Sequence, residues 1–194
     1  MKPIKLPMGG KTMESKVEKK TEKKYTKGEL VQILQENNCP QHVINHSIAV
    51  CDKAEELSQN FPVNKYFITA GALLHDIGRS STHGIEHAVI GAKIARNKGF
   101  PEEICKIIER HIGTGITEED AEKLGLEAKD YIPRTLEEKI VCHADNLISG
   151  TEEVSTDYTQ SKWSKRMGDK HRSINEIVEM HEDLKPRKKW IHDL

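Results

Sequence analysis

From residue 26 onward, apolar side chains recur every three or four positions, the spacing of one face of an α-helix. Short stretches containing Gly, Pro or Asn separate these segments, and none shows the sustained alternation of a β-strand. The pattern predicts helices over residues 27–38, 40–60, 65–77, 85–98, 102–112, 117–124, 135–148 and 173–184. The fold class predicted from this pattern is therefore all-α, a compact helical bundle.

The segment 67–74 is apolar on every face, which is typical of a helix buried in the centre of a bundle. Asn64 is predicted to cap this helix, and residues 78–82 are predicted to form a loop after it. The helix therefore ends on two ionisable residues, His75 and Asp76. Because burying such groups without partners is costly, the pair either forms structural hydrogen bonds or binds a metal ion.

Two helix starts carry specific signals. Pro40 suits the first position of a helix, where the backbone N–H that proline lacks is not needed. Thr135 and Glu138 match a capping box, in which each side chain binds the backbone N–H of the other residue. We therefore predict that helices begin at both places.

The composition narrows the class of protein. With 194 residues, 36% of them hydrophobic and 31% charged, and no long apolar run, the sequence predicts one polar-surfaced domain and no membrane span. Thirty Lys and Arg against 31 Asp and Glu leave a net charge of -1, which gives no overall attraction to nucleic acid. Four scattered cysteines and the lack of a secretory signal predict reduced thiols and a cytoplasmic location.

Three parts of the chain differ in character. Residues 1–25 carry mixed charge with little apolar surface and are predicted to be a disordered tail. Residues 26–150 contain the periodic helices and form the predicted domain. Residues 151–194 are polar and are predicted to be a C-terminal helical extension. The lysines of the tail are interleaved with glutamates, so a nucleic-acid partner is not expected.

Histidine is the residue type that points to chemistry, because several of the ten histidines fall on apolar helix faces. His111 follows three isoleucines at offsets of seven, four and three positions, so it faces the interior. His46, His87 and Asp145 lie on apolar faces of three other predicted helices. One such histidine is usually a core residue, but four on separate helices with two aspartates predict a single shared site.

This ordered series resembles the HD-domain metal-dependent phosphohydrolases of the HDIG branch, and in particular stand-alone archaeal HDIG proteins. The signature reads His75-Asp76-Ile77-Gly78 in this sequence. The resemblance implies a helical HD-domain bundle with one divalent metal ion held by His46, His75, Asp76 and Asp145. It also implies a second metal ion, held by His87 and His111, with Asp76 as the bridging carboxylate.

The resemblance favours iron or manganese as the metal. Mixed nitrogen and oxygen ligands also suit zinc, cobalt or nickel, whereas so many imidazoles disfavour magnesium. Two positions depart from many dinuclear relatives: Arg79 stands where they have lysine, and His111 is single where they have a His-His pair. The Tyr-Pro signature of the cyclic-dinucleotide branch is missing as well, so hydrolysis of cyclic di-GMP is not expected.

The predicted function is metal-dependent hydrolysis of a phosphate ester of a nucleotide-like or pterin-like small molecule, most specifically a 2',3'-cyclic phosphodiester. Asp76 and Arg79 are the predicted catalytic residues, and His83 and His143 are further candidates for the site. The alternatives are a nucleoside 5'-monophosphate phosphatase and a non-catalytic binding module stapled by its metal. The partner is a phosphorylated small molecule, and the sequence is compatible with a homo-oligomer.

Overall fold

The computed structural model describes residues 23–185, and within this range the fold is a bundle of nine α-helices. The helices are α1 (Lys27–Glu36), α2 (Gln41–Ser58), α3 (Lys65–Leu74), α4 (His87–Asn97), α5 (Glu102–Glu109), α6 (Glu118–Lys123), α7 (Leu136–Asn146), α8 (Thr156–Met167) and α9 (Ser173–Leu184). A 3-10 turn covers Ile77–Ser80, and β1 (Ile148–Ser149) pairs antiparallel with β2 (Glu152–Glu153). The predicted all-α class is confirmed.

Helix α3 is the centre of the bundle, in contact with α1, α2, α5 and α7. Ile68 and Leu74 are fully buried, as predicted for a helix that is apolar on every face. Gly71 lets α5 approach closely, because a Cβ atom at this position would lie 2.6 Å from Cγ2 of Ile107. This packing fixes the C-terminal end of α3, where the predicted site begins.

Several helix ends differ from the prediction, three of them near the site. Helix α3 stops at Leu74, and the chain turns at Asp76 (φ -99°, ψ 12°) into the 3-10 turn, where a loop was predicted. Helix α4 begins at His87 and α5 ends at Glu109, so both are shorter than predicted. The tight turn after α3 lets the backbone of Gly78 pack against α4, a tertiary contact that periodicity does not reveal.

The C-terminal extension contains two helices, of which only α9 was predicted. Helix α8 is polar on most of its surface, and Thr159 is its one buried residue. The hairpin of β1 and β2 was not predicted either, because two residues are too few for an alternating pattern. The disordered tail predicted for residues 1–25 lies mostly outside the described residues.

The cysteine and membrane predictions agree with the structure. All four cysteines are buried free thiols: Cys39, Cys51, Cys105 and Cys142. Within residues 23–185, no helix combines the length and the apolarity that crossing a bilayer would require.

The capping box predicted at the start of α7 is only half present. Thr135 accepts a hydrogen bond from the Glu138 backbone N–H at 3.2 Å, as predicted. The Glu138 carboxylate instead accepts from the backbone N–H of Arg134 at 2.7 Å and from Nη1 of Arg110 at 2.9 Å. The carboxylate of Glu138 therefore ties the start of α7 to the end of α5.

We expect Glu138→Gln to lower the free energy of unfolding by about 3–5 kcal/mol, because it leaves the Arg110 guanidinium without its buried countercharge. The side chain of Glu138 is 3% exposed and that of Arg110 is 14% exposed. Glu119→Gln is the matched control, since that carboxylate is 79% exposed in its pair with Lys123. Urea unfolding of the control should differ from the native chain by about 0.5 kcal/mol or less. Equal losses in both variants would contradict this role of Glu138.

Candidate metal centre

The six residues predicted as metal ligands converge from separate parts of the chain onto one site. Helix α2 and helix α7 contribute from one side, the end of α3 stands between them, and α4 with the segment after α5 closes the other side. These residues are His46, His75, Asp76, His87, His111 and Asp145. They form three overlapping groups of three donors, and within each group the ligand atoms lie within 4.8 Å of one another.

Asp145 organises one half of the site. Its Oδ1 atom lies 2.9 Å from Nε2 of His46 and 3.6 Å from Nε2 of His75. The same His75 nitrogen lies 3.7 Å from Oδ2 of Asp76. One carboxylate from α7 and one from the end of α3 therefore flank the His75 ring.

Asp76 organises the other half. Its Oδ1 atom lies 3.0 Å from Nε2 of His87 and 3.7 Å from Nε2 of His111. The two histidine nitrogens are themselves 3.1 Å apart. Asp76 is thus the residue that contacts both halves of the site.

The orientation of all four histidine rings is set by backbone carbonyl groups. In each ring, Nδ1 lies 2.7–2.8 Å from a carbonyl oxygen, which makes Nδ1–H the donor. The pairs are His46 with Gly150, His75 with Ala72, His87 with Gly84, and His111 with Ile108. Each Nε2 atom therefore presents a lone pair to the centre, the arrangement in which neutral imidazole binds metals.

Two buried atoms at the centre lack a hydrogen-bond partner among the described residues, Nε2 of His75 and Oδ1 of Asp76. His75 is 0% exposed and Asp76 is 4% exposed, so water does not readily solvate them. The lone pairs of His87 and His111 also face each other, which is repulsive unless a cation or a proton lies between them. These donors fit a divalent transition metal ion, which would satisfy all of the groups at once.

The electrostatics of the residues alone also favour a cation at the centre. Burial opposes protonation of His75, but the Asp76 and Asp145 carboxylates outweigh burial and raise the pKa of His75 to about 9. Burial also opposes ionisation of Asp76, yet His75 and His87 hold its pKa well below the usual range. Burial, with the charges of His75 and His87, lowers the pKa of His111 to about 3. The site thus holds its carboxylates ionised and accepts positive charge at neutral pH.

A cavity of about 350 Å³ lies over the His46 and Asp145 side of the centre, a volume within the range of small-molecule sites. Arg79 lines it and donates from Nε to Oδ2 of Asp76 at 2.7 Å. His83 lines it as well and is exposed to solvent. The predicted catalytic residue Arg79 and the additional candidate His83 therefore both line the cavity.

His143 lies elsewhere. It sits on α7 two residues before Asp145, and its Nε2 atom is 3.0 Å from Nδ1 of His181 on α9. Burial, together with His181, lowers the pKa of His143 to about 3. The structure therefore places this histidine in the packing between α7 and α9, and does not bring it to the cavity.

Several residues of the cavity wall were not predicted, among them His42, Lys162 and Trp163. His42 stands four positions before His46 on α2, and this helical spacing was a signal that could have identified it. Lys162 and Trp163 belong to α8, a helix that the hydrophobic pattern did not reveal.

Solved structures share this architecture. The HD domain of the Listeria monocytogenes phosphodiesterase PgpH in complex with cyclic-di-AMP matches with a TM-score of 0.51 at 18% identity. The match covers 80% of this chain and 93% of that domain. This likeness establishes a common fold.

Sequence comparison identifies the family. The HD domain family matches residues 43–150, just over half of the chain. An uncharacterized protein of Methanocaldococcus jannaschii is 50% identical over 153 residues, which is 76% of this chain and 90% of that protein. The tRNA (cytidine(56)-2'-O)-methyltransferase of Picrophilus torridus is 41% identical over 152 residues, 78% of this chain but 44% of the methyltransferase. The resemblance seen in the sequence is thus confirmed, and the chain belongs to the HD domain family.

Proposed function

We propose that this chain is a metal-dependent phosphohydrolase acting on a phosphate ester of a nucleotide-like or pterin-like small molecule. The favoured substrate is a phosphodiester, and most specifically a 2',3'-cyclic one. The observation that carries the proposal is a set of buried ligand atoms. Oδ1 of Asp76 and Nε2 of His75 lack a hydrogen-bond partner within residues 23–185, and the Nε2 atoms of His87 and His111 face each other. Asp76 lines a cavity of small-molecule size, together with His46 and Asp145.

His46, His75 and Asp145 would hold one metal ion, His87 and His111 a second, and Asp76 would contact both. When bound, a divalent metal supplies Lewis acidity, which makes water acidic near neutrality and neutralises phosphoryl oxygens. Iron or manganese is the proposed occupant, with zinc, cobalt and nickel as alternatives that suit the same donors.

Arg79 is the proposed phosphate-binding residue. Its Nε–H is fixed on Asp76, while its two terminal nitrogens have no hydrogen-bond partner within residues 23–185. A planar guanidinium held in this way can donate two parallel hydrogen bonds to phosphate oxygens. Asp76 would thus orient the group that positions the substrate.

The charges that line the cavity support an anionic substrate. Its acidic residues are Asp76 and Asp145, both assigned above as metal ligands. The other groups able to carry charge are basic: His42, Arg79, His83 and Lys162. A cavity lined in this way attracts phosphate esters from solution.

The names of two relatives support nucleotide chemistry in particular. PgpH is named a phosphodiesterase, and its HD domain was solved with cyclic-di-AMP. The Picrophilus torridus relative is named for an activity on tRNA. Because the aligned part is less than half of that methyltransferase, methyl transfer is not proposed for this chain.

Elemental analysis of anaerobically purified protein, combined with two chromogenic esters, tests the proposal. We expect two metal ions per chain, and faster hydrolysis of bis(p-nitrophenyl) phosphate than of p-nitrophenyl phosphate after reconstitution with iron or manganese. One metal ion with a preference for the monoester would instead indicate a nucleotidase. Unfolding on metal removal, with no hydrolysis under any of the five candidate metals, would indicate a metal-stapled binding module and overturn the proposal.

A further inference from the structure

Helix α8 brings an aromatic side chain to the cavity from outside the matched family region. The HD domain match ends at residue 150, whereas Trp163 lies on α8 (Thr156–Met167). Trp163 is partly exposed and lines the same cavity as Asp76, Arg79 and Asp145. An indole neither binds a metal ion nor transfers a proton in hydrolysis. Its place in the cavity wall therefore points to a role in substrate recognition.

The indole is held in a defined position. Its Nε1–H donates to Oδ1 of Asn146 at 3.3 Å, and Thr159, one helical turn earlier, donates to the Asn146 carbonyl oxygen at 2.6 Å. Asn146 directly follows Asp145 on α7. Helix α8 is therefore hydrogen-bonded to the residue next to a proposed metal ligand, which fixes the position of the indole relative to the proposed metal centre.

A glycine next to Asn146 contacts the same edge of the ring. A Cβ atom at Gly113 would lie 2.9 Å from Cζ2 of Trp163, so the indole packs directly against backbone. Gly113 also has φ +61°, a conformation that side chains disfavour. Fixed by Asn146 and Gly113, the ring is pre-organised and loses little entropy when a ligand stacks on it.

The cavity wall contains apolar residues as well as charged ones. Val43 and Ile148 line the cavity together with Trp163, and Trp163 is its one aromatic residue other than histidine within the described chain. A flat apolar surface beside a cationic, phosphate-binding surface fits a molecule with a planar ring at one end and a phosphate ester at the other.

Building on the proposed function, we infer that Trp163 is a specificity-determining residue that stacks on the planar heterocyclic ring of the substrate. The substrate class is then a phosphate ester whose alcohol carries a nucleobase-like or pterin-like ring, in preference to esters of aliphatic alcohols. Stacking positions the ester at the metal centre, and the indole takes no part in proton transfer.

Two cyclic esters with the same five-membered phosphodiester ring test this inference: 2',3'-cyclic AMP, which carries a base, and glycerol 1,2-cyclic phosphate, which does not. We expect Trp163→Ala to lower kcat/KM for 2',3'-cyclic AMP about 5- to 150-fold, mostly through KM, and to change the glycerol ester less than about threefold. Trp163→Phe should recover most of the loss. Tyr158→Ala, an exposed aromatic on α8 outside the cavity wall, should leave both esters unchanged.

A fluorescence titration provides a readout that needs no turnover. The chain has two tryptophans, so Trp190→Phe leaves Trp163 as the only indole. We expect adenosine 2'-monophosphate to quench its fluorescence saturably and glycerol 2-phosphate to leave it unchanged. Equal responses to both ligands, or no saturable response to the nucleotide, would overturn the inference.

The two proposals fail in distinguishable ways. If neither cyclic ester is hydrolysed with any metal, the proposed 2',3'-cyclic phosphodiesterase activity is wrong, while the titration still decides whether Trp163 binds a heterocycle. If both esters are hydrolysed and Trp163→Ala lowers kcat/KM for both equally, the function stands and the stacking role is wrong.

Discussion

Replacing Asp76 with alanine is expected to abolish hydrolysis and to empty both halves of the metal centre. Asp76 lies 3.0 Å from His87, 3.7 Å from His75 and His111, and 2.7 Å from Arg79. Its loss removes a ligand from each proposed metal ion and the orienting partner of the phosphate-binding arginine. Since metal catalysis supplies several kcal/mol, we expect kcat/KM to fall by about a thousandfold or more.

A matched control separates this effect from a general loss of negative charge. Asp52→Ala also removes a carboxylate, but that side chain is 68% exposed and pairs with Lys27 on the outer face of α2. We expect Asp52→Ala to retain native metal content and activity. His87→Ala should lose one metal ion per chain and keep the other, because it contributes to one half of the centre.

Three measurements test this prediction: metal content by elemental analysis, hydrolysis of bis(p-nitrophenyl) phosphate and far-UV circular dichroism. Helical content should be preserved in all three variants, since the bundle core does not depend on Asp76. An Asp76→Ala protein that binds two metal ions and hydrolyses the diester at the native rate would show that the assignment of the centre is wrong.

Four residues of the centre could be found from the sequence because they lie on apolar faces of predicted helices: His46, His87, His111 and Asp145. The other two, His75 and Asp76, end a helix that is apolar on every face. His111, for example, follows Ile104 and Ile108 on the apolar face of its segment. A polar residue is unusual on such a face, so its presence indicates a specific role. The His-Asp-Ile-Gly signature then connected that face to a known arrangement. Local pattern and motif were sufficient for these positions.

His143 is a candidate that helical spacing alone could have excluded. It stands two positions from Asp145 on α7, and residues two apart on a helix point in different directions. Once Asp145 is assigned to the centre, helical geometry directs His143 away from it, and His143 indeed pairs with His181. The structure therefore places His143 against α9 and does not bring it to the cavity.

Helix α8 could not be found in this way. It is held by hydrogen bonds from Thr159 and Trp163 to Asn146 and by the packing of the Trp163 ring on a small apolar cluster, and no apolar stripe marks its buried face. A helix held by one apolar side chain and a few polar contacts leaves no periodic signal in the sequence. The residue proposed to recognise the substrate could therefore not be predicted from the sequence, whereas the residues proposed to bind metal could.

Gly78→Ala is expected to be the most damaging single methyl addition near the centre. An ideal Cβ at this position would lie 2.0 Å from the carbonyl oxygen of His87 and 2.7 Å from the backbone nitrogen of Gly91. Both are backbone atoms of α4, so no side-chain rotation relieves the clash. The 3-10 turn and α4 must separate, and we expect the free energy of unfolding to fall by about 3 kcal/mol or more.

The same displacement should also lower the activity, because Asp76 and His87 lie on the two elements that are forced apart. A misplacement near 1 Å can lower a rate about a hundredfold, so we expect at least that loss in kcat/KM together with loss of the metal ion held by His87. Gly28→Ala is the control: nothing lies within 4 Å of its added Cβ, and alanine in helix α1 should raise stability by about 0.5–1 kcal/mol. Urea unfolding and metal analysis of both variants measure the two effects, and a Gly78→Ala protein as stable and active as the native chain would contradict the close packing of the turn on α4.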